Sequence, residues 1–136
     1  MKKLIIFGSN GMVGTSFPRY HENIEMFRYH RKELDITNTT ALENVIKTIK
    51  PDYVLNLAGY TNVPLAEKER EKCFSVNTYA AYEISKLCDK YDVHYIAVST
   101  CGIFFNDLDS FDEDCTQKNT KGIYNLSKYE KNVKLK

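Results

Sequence analysis

Charge of one sign is what this sequence most lacks. Its 19 Lys and Arg against 18 Asp and Glu leave a formal net charge of +1 over 136 residues. With no basic stripe for nucleic acid and no acidic tail, the expected partner is a small molecule. Long apolar runs are missing too. None approaches a membrane span, and the short run after Met1-Lys2-Lys3 is strand-length, too brief for a signal-peptide core. The expectation is a cytoplasmic chain with no membrane or nucleic-acid partner. The four cysteines, Cys73, Cys88, Cys101 and Cys115, show no Cys-x-x-Cys pairing and no histidine at metal-ligand spacing. That predicts reduced, independent thiols with no disulfide and no metal site, Cys73 and Cys88 being core. Repeats, low-complexity tracts and linkers are also absent, so residues 1–136 read as one domain, small for a two-domain enzyme.

What is present begins at once. The apolar run Leu4-Ile5-Ile6-Phe7 leads into Gly8-Ser9-Asn10-Gly11-Met12-Val13-Gly14. This is a buried strand, a glycine turn and a helix start, an arrangement suited to a dinucleotide pyrophosphate. Gly8 allows the sharp turn, Gly11 lets backbone approach phosphate, and Gly14 lets the helix pack closely on the sheet.

Strand-like and helix-like segments alternate beyond it, the pattern of βαβ units and a parallel sheet. Strands are expected near residues 3–7, 24–29, 53–57 and 94–98. A helix capped by Asn38 or Thr39 carries Leu42, Val45, Ile46 and Ile49 on one face and ends before Pro51. Residues 64–90 form a long helical stretch expected to break near residues 73–77, with Ala66, Phe74, Val76, Ala80, Ile84 and Leu87 as its apolar positions. Residues 100–122 are loop-rich, and another helix follows. The fold class predicted is α/β, a Rossmann-type doubly wound parallel sheet, with strand order 3-2-1-4.

In that last helix, Tyr124 and Lys128 stand four residues apart, hence on one face. A fixed cation beside a phenol favours its phenolate and brings a group with an ordinary pKa of about 10 toward working range. The ordered series of residues 8–14, Asn56-Leu57-Ala58-Gly59-Tyr60-Thr61, Val76-Asn77, Val98-Ser99-Thr100 and Tyr124/Lys128 resembles the extended short-chain dehydrogenase/reductase superfamily. Leu34-Asp35-Ile36-Thr37, Pro51-Asp52-Tyr53-Val54-Leu55-Asn56 and Ala66-Glu67 are similar, within it, to the dTDP-4-dehydrorhamnose reductase family.

The resemblance implies roles. Gly8, Gly11 and Gly14 would cradle the pyrophosphate, with backbone amides from Met12 and Val13, and Asn10 and Asn77 would be further cofactor-binding residues. Asp35 and Ile36 would border the adenine; Ala58, Gly59 and Tyr60 would lie on the nicotinamide side. Thr100 would polarise the substrate carbonyl, Tyr124 would deliver the proton, and Lys128 would hold the nicotinamide ribose and tune Tyr124. A carbonyl reduction needs a hydride source, a proton source and a donor to the developing oxyanion, and this set meets that need. For the cofactor, the end of the second strand reads Arg28-Tyr29-His30-Arg31-Lys32, with no acid before Glu33. Arg28 and Arg31 could pair with a 2′-phosphate, so NADP(H) is expected over NAD(H).

Two departures from the family pattern, Cys101-Gly102 after Thr100 and the residues around Pro64, fall on the substrate side. Family members also run on well beyond the position of Lys136. The chain therefore reads as the NAD(P)-binding half, lacking the C-terminal substrate domain. Its open sheet edge predicts a homo-oligomer or a complementing C-terminal fragment. The function implied is NADP(H)-dependent reduction of a 4-keto nucleotide-activated sugar, with little turnover by these residues alone. The alternatives are a non-catalytic dinucleotide-binding or assembly module, or half of a sugar-nucleotide epimerase or dehydratase.

Overall fold

The structure is a computed structural model that describes residues 1–104 and 118–135. Four strands, β1 (Lys2–Phe7), β2 (Ile24–Tyr29), β3 (Tyr53–Asn56) and β4 (His94–Ala97), form one sheet in the order β2-β1-β3-β4. Every pairing is parallel. The α/β parallel sheet is as the sequence predicts, but the strand order is not 3-2-1-4. Only residues 30–38 separate β2 from α2 (Thr39–Ile49), which is the one crossover between β2 and β3 and carries the chain over β1. Burial gives the physical reason. Val54, Leu55 and Asn56 of β3 are all buried, as an interior strand requires, whereas β4 shows the half-exposed alternation of an edge.

The central strand β1 divides its side chains between two layers. Ile5 and Phe7 enter the main core with Leu42 and Ile46 of α2, Val54 of β3, and Ile84 and Leu87 of α5 (Ala81–Lys90). Leu4, Ile6 and Leu55 pack on the other face against Phe17, Ile24 and Met26. Each such side chain, fully buried, contributes about 1.5–3 kcal/mol of transfer free energy. Asn38 caps α2 by accepting from the Ala41 N–H at 3.1 Å, and Lys50 turns left-handed, with φ of 51°, just before Pro51. Both ends are where the sequence puts them.

The stretch 63–90 differs in detail. A short α3 (Val63–Ala66), capped by Asn62, is followed by α4 (Arg70–Phe74). From Arg70 the chain stays helical to Lys90, and the break expected near residues 73–77 is instead a π-helical segment, Ser75–Ala80. The wider turn brings the buried Asn77 and Thr78 together toward the last helix, α6 (Ile123–Lys134). Cys73 and Cys88 are buried and free and Cys101 is exposed and free; Cys115 lies outside the described residues. Among the described residues no helix is long and apolar enough to cross a membrane, and no His, Cys, Asp and Glu cluster could hold a metal ion.

Candidate functional site

A cavity of ≈ 580 Å³ opens at the carboxyl ends of the strands. One wall is the turn from β1 into α1 (Met12–Ser16). Gly8 has φ of +78°, and a Cβ there would lie 2.5 Å from the Ala58 backbone nitrogen. A Cβ on Gly14 would lie 2.5 Å from the Gly8 carbonyl oxygen, so helix and turn touch backbone to backbone. Gly11 is the N-cap of α1, carries no side chain to cap it, and faces the cavity together with Asn10, Met12 and Val13. The turn thus presents main chain to the cavity, which suits the oxygens of a pyrophosphate.

Arg31, Asp35 and Ile36 line the next part. Asp35 accepts from both the N–H and the hydroxyl of Thr37, at 2.9 and 2.8 Å. These bonds, the backbone one foremost and the Arg31 charge least, hold its carboxyl below the usual range. Glu33, the first acid after β2, turns back to accept from the His30 N–H at 3.1 Å and does not line the cavity. Arg31 is therefore the cation at the end of β2 that faces inward.

The far wall joins Ala58, Gly59 and Tyr60 after β3 to Tyr124 and Lys128 of α6. Buried Asn77 fastens the two. Its Oδ1 accepts from the Tyr60 N–H at 2.8 Å, and its Nδ2 donates to the Tyr60 carbonyl and to Ser127 Oγ, each at 3.0 Å. Ser127 in turn donates to the Tyr124 carbonyl at 2.7 Å, while Thr78 Oγ1 donates to the Ser127 carbonyl at 2.8 Å. Glu67 accepts from the Ile123 N–H at 2.7 Å and so caps the first turn of α6. The Tyr60 phenol donates to Glu69 at 2.6 Å; partial burial and that bond push its pKa up to about 12.

Lys128 is buried, its Nζ 5.9 Å from the centre of the Tyr124 ring and 3.4 Å from where a Cβ on Gly59 would be. A side chain at position 59 would crowd the ammonium. Among the described residues Lys128 has no ion pair, and burial pulls its pKa down, with the Cys73 thiol opposing weakly. Its donors are available to a ligand in the cavity.

Three residues expected at the site lie off the cavity wall. Arg28 donates to the carbonyls of Gly14, Phe17 and Pro18, tying the end of α1 to β2. Asn77 braces the wall from behind. Thr100 caps the single 3-10 turn Cys101–Ile103, its hydroxyl accepting from the Gly102 N–H at 3.2 Å. Sequence reasoning missed Ser127, Thr78, Glu67 and Lys131 as members of this wall. Only Lys131 carried a readable signal, standing three residues after Lys128 on the same helix face.

Residues 1–135 match the family described as RmlD substrate binding domain. A dTDP-4-dehydrorhamnose reductase of Aggregatibacter actinomycetemcomitans is 30% identical over 107 residues, 76% of this chain and 36% of that protein. One of Mycobacterium tuberculosis is 27% identical over 133 residues, 93% of this chain and 43% of its own length. Among solved structures, the dTDP-4-dehydrorhamnose reductase of Bacillus anthracis in complex with NADP superposes with a TM-score of 0.92 at 28% identity, covering 99% of this chain and 49% of that one. The chain spans less than half the length of these relatives.

Proposed function

The chain belongs to the RmlD substrate binding domain family, and from that premise we propose that its cavity binds NADP(H) and carries the proton-donating side of a 4-keto nucleotide-sugar reductase. The observation that carries this reading is the single cavity joining the glycine turn of residues 8–14 to Tyr124 and Lys128. Gly8, Gly11 and Gly14, with the amides of Met12 and Val13, hold the pyrophosphate. Asp35 and Ile36 border the adenine, and Arg31 pairs with a 2′-phosphate. That preference rests on Arg31 alone, since the Arg28 guanidinium is taken by three carbonyls.

Bound, the dinucleotide supplies the hydride. Lys128 holds the ribose hydroxyls through an ammonium that has no ion pair among the described residues. Tyr124 gives its proton to the carbonyl oxygen of the sugar. Ala58, Gly59 and the backbone of Tyr60, pinned by Asn77, complete the same wall. Orienting a sugar nucleotide takes further residues, for which the greater length of the relatives leaves room. The exposed β4 edge, where Ile96 and the following Val98 are exposed, is where such a segment or a second copy pairs.

A second reading, a dinucleotide-binding module without turnover, draws on Thr100, which does not line the cavity and whose hydroxyl accepts from the Gly102 N–H. Calorimetric titration separates the outcomes. NADPH is expected to bind, more tightly than NADH, and Arg31→Ala to erase the difference; no binding of NADPH would overturn the reading. Turnover of a 4-keto sugar nucleotide on adding a complementing C-terminal half, lost in Tyr124→Phe, favours the enzyme over the module.

A further inference from the structure

Lys131 has no part in that reading, yet it is 3% exposed. Its ammonium donates to the Val98 carbonyl, one residue beyond β4, and it stands one turn past Lys128 on the same side of α6. Neither lysine has an ion pair among the described residues. Protein interiors pair buried charges or exclude them, because an uncompensated ion loses its hydration for nothing in return. Burial and the neighbouring Lys128 charge push the Lys131 pKa down to about 8, which leaves it charged at neutral pH. The side chains bonded around Asn77, namely Thr78, Ser127 and Cys73, bring no carboxylate, and the two carboxylates of this wall are engaged elsewhere, Glu67 on the Ile123 N–H and Glu69 on the Tyr60 phenol and Lys72. A neutral donor could bond the Val98 carbonyl equally well, so the bond alone does not account for a lysine.

Position suggests what does. Val98 and Ser99 line the same cavity as Tyr124 and Lys128, and Asn132 Nδ2 donates to Ser99 Oγ at 2.9 Å, holding the same stretch. The Lys131 charge thus lies behind the wall of the part given above to the nicotinamide ring. That ring is uncharged when reduced and carries a positive charge when oxidised. A fixed cation, itself buried behind that stretch, repels the second form and not the first. We propose that Lys131 is a specificity-determining residue which, together with Lys128, makes the site prefer the reduced, uncharged nicotinamide to the oxidised, cationic one. The inference rests on the dinucleotide reading of the cavity. Its consequence is a site that loads reductant and releases oxidised product, the bias a reductase needs.

The test is calorimetric titration of NADPH and of NADP⁺ into the wild-type chain, Lys131→Met and Lys131→Arg at pH 7. Lys131→Gln, which keeps a donor for the Val98 carbonyl, is the second neutral variant should Met disturb the fold. The expected result is a fall of about fivefold or more in the NADPH to NADP⁺ affinity ratio in both neutral variants, through tighter NADP⁺, with the ratio kept in Lys131→Arg. An unchanged ratio in a folded neutral variant, or equal weakening of both nucleotides, marks Lys131 as a structural prop and overturns the proposal. Should the wild type bind neither nucleotide, the dinucleotide reading fails and takes this inference with it. If it binds NADPH and the ratio ignores the charge at 131, only this inference fails.

Discussion

The two walls of the cavity are built by opposite means. The β1–α1 wall is backbone: glycines in close contact over an apolar strand, with no buried side-chain charge. The α6 wall is a buried polar network of Asn77, Thr78 and Ser127 beside two buried lysines, resting on a π-helical segment. The first wall is stabilised by what it leaves out, and an atom added at Gly8 or Gly14 disrupts it. The second depends on side-chain partners, and removing one strands the rest.

The largest effect is therefore expected at Gly8. Gly8→Ala forces a Cβ against the Ala58 backbone at a left-handed φ, and destabilisation of about 3 kcal/mol or more is expected, read from the urea midpoint. Asn77→Ala comes next. It leaves the Tyr60 N–H, the Tyr60 carbonyl and Ser127 short of partners and should lose about 2–3 kcal/mol, while Asn77→Asp, which keeps an acceptor but not the donor, should not rescue it. An equal response to Asn77→Ala and to a surface substitution would erase the contrast between the walls.

Lys131→Met should act in the other direction. The folded pKa of about 8 lies below the ordinary 10.5, so the unfolded chain binds more protons between those values and stability rises with pH there. Below pH 8 the buried charge opposes folding by about 3 kcal/mol, offset in part by roughly 1.5 kcal/mol from the bond to Val98. The Met variant should be more stable than wild type at pH 7, and the gap should shrink as pH rises from 8 to 9. Comparing variant with wild type removes the contribution of Cys88, whose thiol burial pushes up to about 12 and whose effect on stability has the opposite sign above pH 9. A Met variant less stable at pH 7 would mean that the lysine serves the fold. The smallest effect belongs to the exposed Lys90–Glu43 pair, where Lys90→Ala should leave the melting temperature unchanged.

The same contrast decides what could be read in the sequence. The strand, the glycine turn, the α2 cap at Asn38 and the stop at Pro51 are local, written in adjacent residues, and the structure has them. The strand order depended on the chain length between β2 and α2 and on burial across β3, which a list of strands does not carry. Arg28 shows the limit for side chains. A cation at the end of a strand looks the same whether it faces a ligand or, as here, the carbonyls of α1. Thr78 and Ser127 gave no signal, because their pairing comes from a π segment that turns Asn77 and Thr78 toward Ser127 on α6, about fifty residues away in the chain.

The central claim is that both walls close on one dinucleotide. A ¹H–¹⁵N NMR titration of the chain with NADPH tests it most directly, since amides of residues 8–14 and of residues 124–128 report the two walls in one experiment. The account predicts that both sets shift together along a single binding curve. Shifts confined to the glycine turn, or two sets following different curves, would contradict it.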